Sequence, residues 1–149
     1  MKKILFSSIV ILLMTSCATP SMYYWGSNPY SNNGTSKYEQ LAYNSYDKQT
    51  PQSICDLICL YEDMVSNPGG TRGVVPPGIY AEYGFLLLQE TTAETFEKYA
   101  TKKQKRIIES SDYATLFAAR GVALLQKEIE LYPESKKFIE PLLKRLSGK

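Results

Sequence analysis

Apolar residues recur every three or four positions through most of the chain beyond residue 36, which is the period of an amphipathic α-helix. A first stripe begins at Tyr38 and ends before Lys48, and a second follows Pro51, which suits the first turn of a helix. Asn67 and the proline and glycines after it predict the end of that second helix. No segment alternates convincingly between apolar and polar residues as a half-buried strand would. The pattern therefore predicts an all-α helical domain over residues 37–149.

Prolines mark the third predicted helix, and polar residues dominate the fourth. Pro76 and Pro77 are expected to open the third helix. One of its faces is small enough to permit close contact with another helix, and consists of Ala81, Gly84 and Leu88. The fourth helix, over residues 92–108, is expected to start at a Thr92 cap, with glutamates early and basic residues late, as the helix dipole favours. We expect its basic end to be solvated, the alternative being contact with anionic lipid or a partner.

Two further helices are predicted in the C-terminal part of the chain. Ser111 or Asp112 is placed to cap a long helix that ends near Leu131 or Tyr132, where Pro133 breaks it. A final helix follows, and its predicted apolar face is formed by Phe138, Ile139, Leu142, Leu143 and Leu146. Pro141 lies inside this helix and is expected to kink it or shorten its first part.

The N-terminus has the layout of a bacterial lipoprotein signal. Lys2 and Lys3 precede an apolar run over residues 4–14 that is too short to span a bilayer stably. The sequence Met-Thr-Ser-Cys at positions 14–17 resembles the lipobox that bacterial signal peptidase II cleaves. We therefore predict a signal peptide over residues 1–16 and a mature chain whose first residue, Cys17, carries diacylglycerol and an N-acyl chain. The alternatives are an ordinary secretory signal or an N-terminal membrane anchor, with Cys17 an incidental thiol.

The residues after Cys17 predict where the lipid anchor holds the protein. Ala18 is neutral and no acidic cluster follows, so we expect attachment to the outer membrane with the body on its periplasmic side. Residues 17–36 are rich in serine, asparagine, glycine, proline and tyrosine, and are read as a lipidated tether. Tyr24, Trp25 and Tyr30 lie within it, and such dense aromatic residues are expected to pack back onto the domain. Contact with the lipid interface or with a partner is the alternative.

Composition and charge exclude several functional classes. Removing 16 of the 149 residues leaves 133, which is enough for one domain. Two of the 17 basic residues leave with the signal peptide, so 15 remain against 15 acidic ones, and no general field attracts nucleic acid. The chain contains no histidine, which removes the commonest general base and zinc ligand. Cys55 and Cys59 lie one helical turn apart, where a disulfide would strain the backbone, so we interpret them as small buried residues rather than a redox or metal pair.

Three clusters of residues resemble an uncharacterised family of bacterial lipoproteins. The first is the Tyr-Trp-Gly sequence at 24–26 with Tyr30, the second runs from Pro76 to Leu87, and the third combines Glu128 with residues 132–138. In order and type they are similar to the family called Domain of Unknown Function 4810. The resemblance implies tetratricopeptide-like helical hairpins. It also implies a gene neighbourhood that contains a curli-secretion-channel-like lipoprotein and a second small lipoprotein.

The spacing of two residues differs from that of a standard tetratricopeptide unit. In that unit of about 34 residues a glycine precedes the closing proline by roughly 24 positions. Gly84 and Pro133 are separated here by 49 positions. The excess corresponds to residues 92–108, which we interpret as an insertion into a repeat-like hairpin.

The leading functional hypothesis is a non-catalytic lipoprotein that assembles or stabilises an envelope complex. Its expected contacts are the membrane, through the lipid anchor, and a protein partner, with no nucleic acid, small-molecule substrate or cofactor beyond the acyl chains. The candidate partner-binding residues are Tyr24, Trp25, Tyr30, Tyr80 and Tyr83, for which a role in the hairpin core is the alternative. One rival is a structural or peptidoglycan-binding lipoprotein, and another is a cell-wall enzyme that uses carboxylates such as Glu82, Glu90 and Glu128.

Overall fold

The computed structural model describes residues 21–26 and 34–147. Within these ranges the secondary structure is helical and contains no strand, which confirms the predicted all-α fold. The helices are α1 (Lys37–Lys48), α2 (Pro51–Ser66), α3 (Ile79–Leu87), α4 (Thr92–Tyr99), α5 (Lys102–Ile107), α6 (Tyr113–Leu131) and α7 (Lys136–Ser147), with a 3-10 turn (Pro133–Ser135) before α7. The predictions for the signal peptide, Cys17 and Tyr30 lie outside the described residues.

Capping hydrogen bonds fix the starts of the first two helices. The Ser36 hydroxyl accepts from the Glu39 amide at 3.1 Å, and the Glu39 carboxylate accepts from the Ser36 amide at 2.7 Å, which together form a capping box. Thr50 caps α2 by accepting from an amide of its first turn, and Pro51 occupies the first helical position as predicted. Only two residues separate α1 from α2, and the two helices pack against each other as a hairpin.

The third helix begins later than the sequence pattern predicts. It starts at Ile79, so Pro76 and Pro77 lie before the helix rather than in its first turn. A residue that precedes proline avoids the helical region, which keeps Pro76 out of the helix. Gly78 forms the N-cap and has no side chain to offer. The missing acceptor comes from α6, because the Glu128 carboxylate accepts from the Gly78 amide at 2.7 Å.

The predicted polar helix over residues 92–108 is in fact two helices, α4 and α5. Ala100 is extended between them, and Thr101 starts α5 with a capping box that it forms with Gln104. The prediction of a single helix was therefore wrong, because Thr101 and Gln104 satisfy the free amides of a second start. The predicted Thr92 cap was also wrong, since Thr91 occupies the N-cap position and Thr92 is a buried first-turn residue.

The central contact of the fold is the crossing of α3 and α6, which pack more extensively on each other than any other pair of helices. Gly84 and Gly121 lie at the crossing, where a methyl group built on Gly84 would stand 2.8 Å from the Gly121 carbonyl oxygen. Between them in sequence, α4 packs on α2 and α6, while α5 packs on α2. The helices that flank residues 92–108 thus pack directly on each other.

The N-terminal segment over residues 21–26 packs onto the loop that joins α2 to α3. The Thr71 and Arg72 amides donate to the Ser21 and Met22 carbonyls at 3.0 and 3.1 Å. Gly70 makes this approach possible, since its φ is +77° and a methyl group there would lie 2.6 Å from the Met22 carbonyl oxygen. The predicted packing of the tether onto the domain is therefore found in the part of the tether that the structure describes.

The final helix covers less of the bundle than its apolar stripe predicts. Ile139 is buried, but Phe138 is 72% exposed, so its predicted place on the buried face was wrong. The physical reason is that α7 packs mainly on α6 and the 3-10 turn, which leaves one side of its stripe uncovered. Pro141 lies inside the helix and does not end it.

Candidate functional site

A ladder of aromatic rings runs from the docked N-terminal segment into the core. Tyr23 contacts Trp25 with ring centroids 6.3 Å apart, and Trp25 contacts Tyr38 at 5.2 Å. The series continues from Tyr38 to Tyr61 at 6.2 Å and from Tyr61 to Tyr83 at 5.5 Å. The ladder joins the segment, α1, α2 and α3, so the N-terminal segment is part of the folded unit.

Two carboxylates hold the hydroxyl groups of this ladder. Glu82 on α3 accepts from the Tyr38 and Tyr61 hydroxyls, each at 2.7 Å. Glu62 on α2 is buried and accepts from the Tyr83 hydroxyl at 2.8 Å. Burial, followed by the neighbouring carboxylates, raises the pKa of all three tyrosines, so they stay protonated and donate.

Arg120 completes the polar group around Glu62. Its guanidinium lies 2.5 Å from the Glu62 carboxylate and 5.8 Å from the centre of the Tyr83 ring. A buried carboxylate is costly unless a cation and hydrogen-bond donors satisfy it, and Glu62 has both. A hydrogen bond from Tyr83 and an ion pair with Arg120, both to Glu62, therefore connect α2, α3 and α6, which is a structural role.

Glu128 is the other buried carboxylate. It approaches the N-terminus of α3 and accepts from the Gly78 amide, while its second oxygen, Oε2, is buried without a hydrogen-bond partner. Burial raises the pKa of Glu128 above its ordinary value of 4.5, although the Gly78, Ala81 and Tyr80 amides act in the opposite direction. Two of the carboxylates that the enzyme hypothesis used, Glu82 and Glu128, are thus engaged in holding helices together.

An open apolar groove of about 740 Å³ lies between the α1–α2 hairpin, α3 and α7. Its floor includes Ile54, Leu57 and Ile139, and Leu125 of α6 also reaches it. Three aromatic side chains on its rim remain exposed: Tyr46 is 70% exposed, Phe85 51% and Phe138 72%. Its polar lining is mostly hydroxyl and amide groups, and its one carboxylate, Glu82, is already bonded to two tyrosines. The groove therefore offers apolar area and aromatic anchors with little charge.

Of the residues predicted to bind a partner, the four that the structure describes do not line this groove. Tyr83 is completely buried, so the core role that the sequence also allowed is the one it has, and it cannot reach a partner while the helices stay packed. Tyr24 and Trp25 are half-buried in the docked segment, where the Tyr24 hydroxyl donates to Asp63 at 2.7 Å. Tyr80 is half-buried against the core.

Sequence reasoning missed the three aromatic residues on the groove rim. Tyr46 belonged to the predicted apolar stripe of α1, and Phe138 to that of α7, so both were assigned to the interior. Phe85 lies outside the predicted small face of α3, which consists of Ala81, Gly84 and Leu88, and the sequence analysis gives it no role. The signal that could have identified them is an apolar residue that faces no neighbouring helix. That signal cannot be read until it is known which helices pack together.

The predicted interior position is found for Cys55 and in part for Cys59. Both are free thiols, with Cys55 fully buried and Cys59 half-buried. Burial raises the pKa of Cys55 to about 11 and that of Cys59 to about 12, so neither forms a thiolate at neutral pH. Among the described residues, no three cysteine or acidic side chains are arranged to hold a metal ion.

These features define a small all-α bundle with a docked N-terminal segment and an apolar groove. The chain belongs to the family described as Domain of Unknown Function 4810, which matches residues 22–117. That match begins in the docked segment and ends in α6, so the segment belongs to the family's domain, whereas Glu128 and residues 132–138 lie beyond it. No curated protein and no solved structure matches the chain. Over the described ranges, none of the helices is long and apolar enough to cross a membrane.

Proposed function

We propose that the protein is a non-catalytic lipoprotein, anchored through Cys17 on the periplasmic side of the outer membrane, that stabilises an envelope complex. A protein partner inserts apolar side chains into the groove between α1, α3 and α7. The resemblance implies one candidate partner, a channel-forming lipoprotein of the curli-secretion type.

The observation that carries this proposal is the set of exposed aromatic residues around the groove. Protein interfaces are enriched in aromatic residues and depleted of charge at their centres, and their energy concentrates where an anchor fills a desolvated pocket. Tyr46, Phe85 and Phe138 surround such a pocket, and the single carboxylate within it is satisfied internally. This composition favours an apolar protein segment over nucleic acid or a charged small molecule.

Support for a structural role also comes from the carboxylates. Acid–base catalysis requires a carboxylate that can exchange protons with a substrate. Glu128 is buried against a helix end, and Glu82, although it lines the groove, already accepts two tyrosine hydroxyls.

Photocrosslinking in intact cells tests the groove. A photoreactive residue at position 85 or 138 of the full chain is expected to give the same discrete protein adduct. Phe138→Ser, combined with the probe at 85, is expected to reduce that adduct by about tenfold, since loss of one buried anchor costs at least 1.4 kcal/mol. Tyr43→Ser is the matched control, because Tyr43 is 66% exposed and lies outside the groove lining.

The result that would contradict the proposal is equally concrete. If Tyr43→Ser and Phe138→Ser reduce the adduct alike, or if neither groove position gives a protein adduct, the groove does not bind a partner. Identification of the adduct by mass spectrometry then separates a channel-forming lipoprotein from other envelope proteins.

A further inference from the structure

We infer that the loop between α2 and α3, together with the docked segment 21–26, forms the surface that rests on the phospholipid bilayer. This inference rests on the proposed lipid anchor and specifies how that anchor orients the body. The membrane-facing surface is defined here as Met22, Tyr23, Arg72 and Val74.

The first step is the length of chain between the anchor and the body. Ser21 is already fixed to the loop, because its carbonyl accepts from the Thr71 amide at 3.0 Å. Four peptide steps separate Cys17 from Ser21. Even a fully extended chain of that length spans at most about 14 Å. An acylated Cys17 therefore holds this loop close to the lipid headgroups.

The second step is the strength with which the segment is docked. Met22 accepts from the Arg72 amide at 3.1 Å, and the Tyr23 hydroxyl accepts from the Arg72 guanidinium at 3.0 Å. Further along, the Tyr24 hydroxyl donates to Asp63, and the Trp25 carbonyl accepts from the Tyr38 amide at 3.2 Å. Contacts spread over four successive residues resist release of the segment, so the short tether stays short.

The third step is the chemistry of the surface. No acidic residue occurs before Glu39, and none occurs between residues 64 and 81, so the docked segment and the loop carry no carboxylate. Met22 and Val74 are exposed large apolar residues, and the Arg72 guanidinium lies 5.6 Å from the centre of the Tyr23 ring. Aromatic and apolar side chains beside a cation are what a phospholipid interface favours.

The basic end of α5 is the competing membrane contact. Its Lys102, Lys103, Lys105 and Arg106 concentrate more charge than Arg72 provides. However, Gln104 of α5 donates to Asp56 at 2.7 Å, which places α5 beside the N-terminal half of α2, whereas the docked segment contacts Asp63 near its C-terminal end. The short tether therefore favours the loop, and the two surfaces are distinguishable by experiment.

The test uses the full chain, isolated from cells in its processed form and reconstituted into vesicles of phosphatidylethanolamine and phosphatidylglycerol. A photoreactive residue replaces Val74, Lys103 or Phe138, and phospholipid adducts are measured by mass spectrometry. We expect adducts mainly at position 74. Equal or greater yield at 103 or 138, or no adduct at 74 on an acylated, vesicle-bound protein, would overturn the surface and leave the anchor intact. A protein that carries no acyl chain would overturn the anchor as well.

A pair of glycine variants tests the docking itself. Gly70→Ala places a methyl group 2.6 Å from backbone atoms of the docked segment, whereas Gly73→Ala has the same kind of positive φ, +61°, but meets nothing within 4 Å. Release of the segment lengthens the tether from 4 to about 20 residues, and local concentration falls with the −3/2 power of length, so adducts at position 74 are expected to drop about tenfold. Equal yields in the two variants would show that docking does not orient the body. The comparison of adducts at positions 74, 103 and 138 needs no glycine variant, so its result stays valid even if Gly70→Ala does not fold.

Discussion

The crossing of α3 and α6 makes Gly84→Ala the sharpest test of the packing. Two effects oppose each other at this position. Alanine favours a helix over glycine by about 1 kcal/mol, which would stabilise the chain if space were available. The added methyl group, however, would lie 2.8 Å from the Gly121 carbonyl oxygen and 3.1 Å from the Leu125 Cγ.

The steric effect is expected to dominate. The Gly121 oxygen belongs to the backbone and cannot rotate away, and Leu125 is itself buried, so the two helices must separate. Overpacking of this kind costs about 1–3 kcal/mol, and the rigid neighbours place this site in the upper part of that range. After subtraction of the propensity gain, Gly84→Ala is expected to lower the free energy of unfolding by about 1–2 kcal/mol.

Urea unfolding followed by far-ultraviolet circular dichroism measures this difference. Ala119→Gly is the matched control, because Ala119 is exposed on α6 and reports helix propensity alone, with an expected loss of about 1 kcal/mol. Gly121→Ala separates the same helices, so the double variant should lose less than the sum of the single losses. A Gly84→Ala protein as stable as the original chain would refute the close crossing.

Three further outcomes follow from the buried polar groups. Glu128→Gln should stabilise the fold at neutral pH. Because the pKa of Glu128 is raised in the folded state, the stability that its protonated form provides below pH 4.5 is lost as the pH rises through the folded-state pKa. Unfolding measured at pH 4 and pH 7 should show that the variant is more stable than the original chain at pH 7 alone, and an equal gain in stability at both pH values would contradict this. Tyr83→Phe should cost about 1–3 kcal/mol in thermal or urea unfolding by removing a donor to buried Glu62, against less than about 0.5 kcal/mol for Tyr43→Phe. Cys55 and Cys59, with pKa values raised to about 11 and about 12, should react with iodoacetamide at pH 7.5 far more slowly in the native protein than in urea, and equal rates would contradict their burial.

The helices were predictable because apolar spacing, proline starts and polar caps agree locally. Pro51 marks a helix start through its fixed φ, and Asp112 does so by accepting from the Thr115 amide, and both are found where the pattern predicts them. The start of α3 was not predictable in this way, since its N-cap Gly78 has no side chain and the acceptor is Glu128, which lies 50 positions away in sequence. The split of the polar helix depended on recognising Thr101 and Gln104 as a capping box inside a continuous charged stretch.

The groove was harder to predict than the helices because it is defined by what remains uncovered. An amphipathic stripe predicts that a residue such as Phe138 faces another helix, but it does not show how much of the stripe the neighbouring helix covers. Here α7 packs mainly on α6 and the 3-10 turn, so the same stripe supplies both a buried Ile139 and an exposed Phe138. Tyr83 shows the opposite error, since it was proposed to contact a partner but is buried and donates a hydrogen bond to Glu62 within the core.

The docked segment and the Ile54 end of the groove lie toward opposite ends of α2, and with the proposed anchor this limits which partners the groove can meet. Asp63 holds the docked segment, while Ile54 lines the groove nine residues earlier, a separation of about 13 Å along a helix that rises 1.5 Å per residue. With the proposed anchor at Cys17, a tether of at most about 14 Å, the three residues from Ser21 to Tyr24 and the Tyr24–Asp63 side chains place the Ile54 side of the groove within about 50 Å of the bilayer. A partner that is itself attached to the same membrane meets the groove at a high local concentration, whereas one dissolved in the periplasm does not. The proposed orientation therefore favours a membrane-bound partner, as a channel-forming lipoprotein would be.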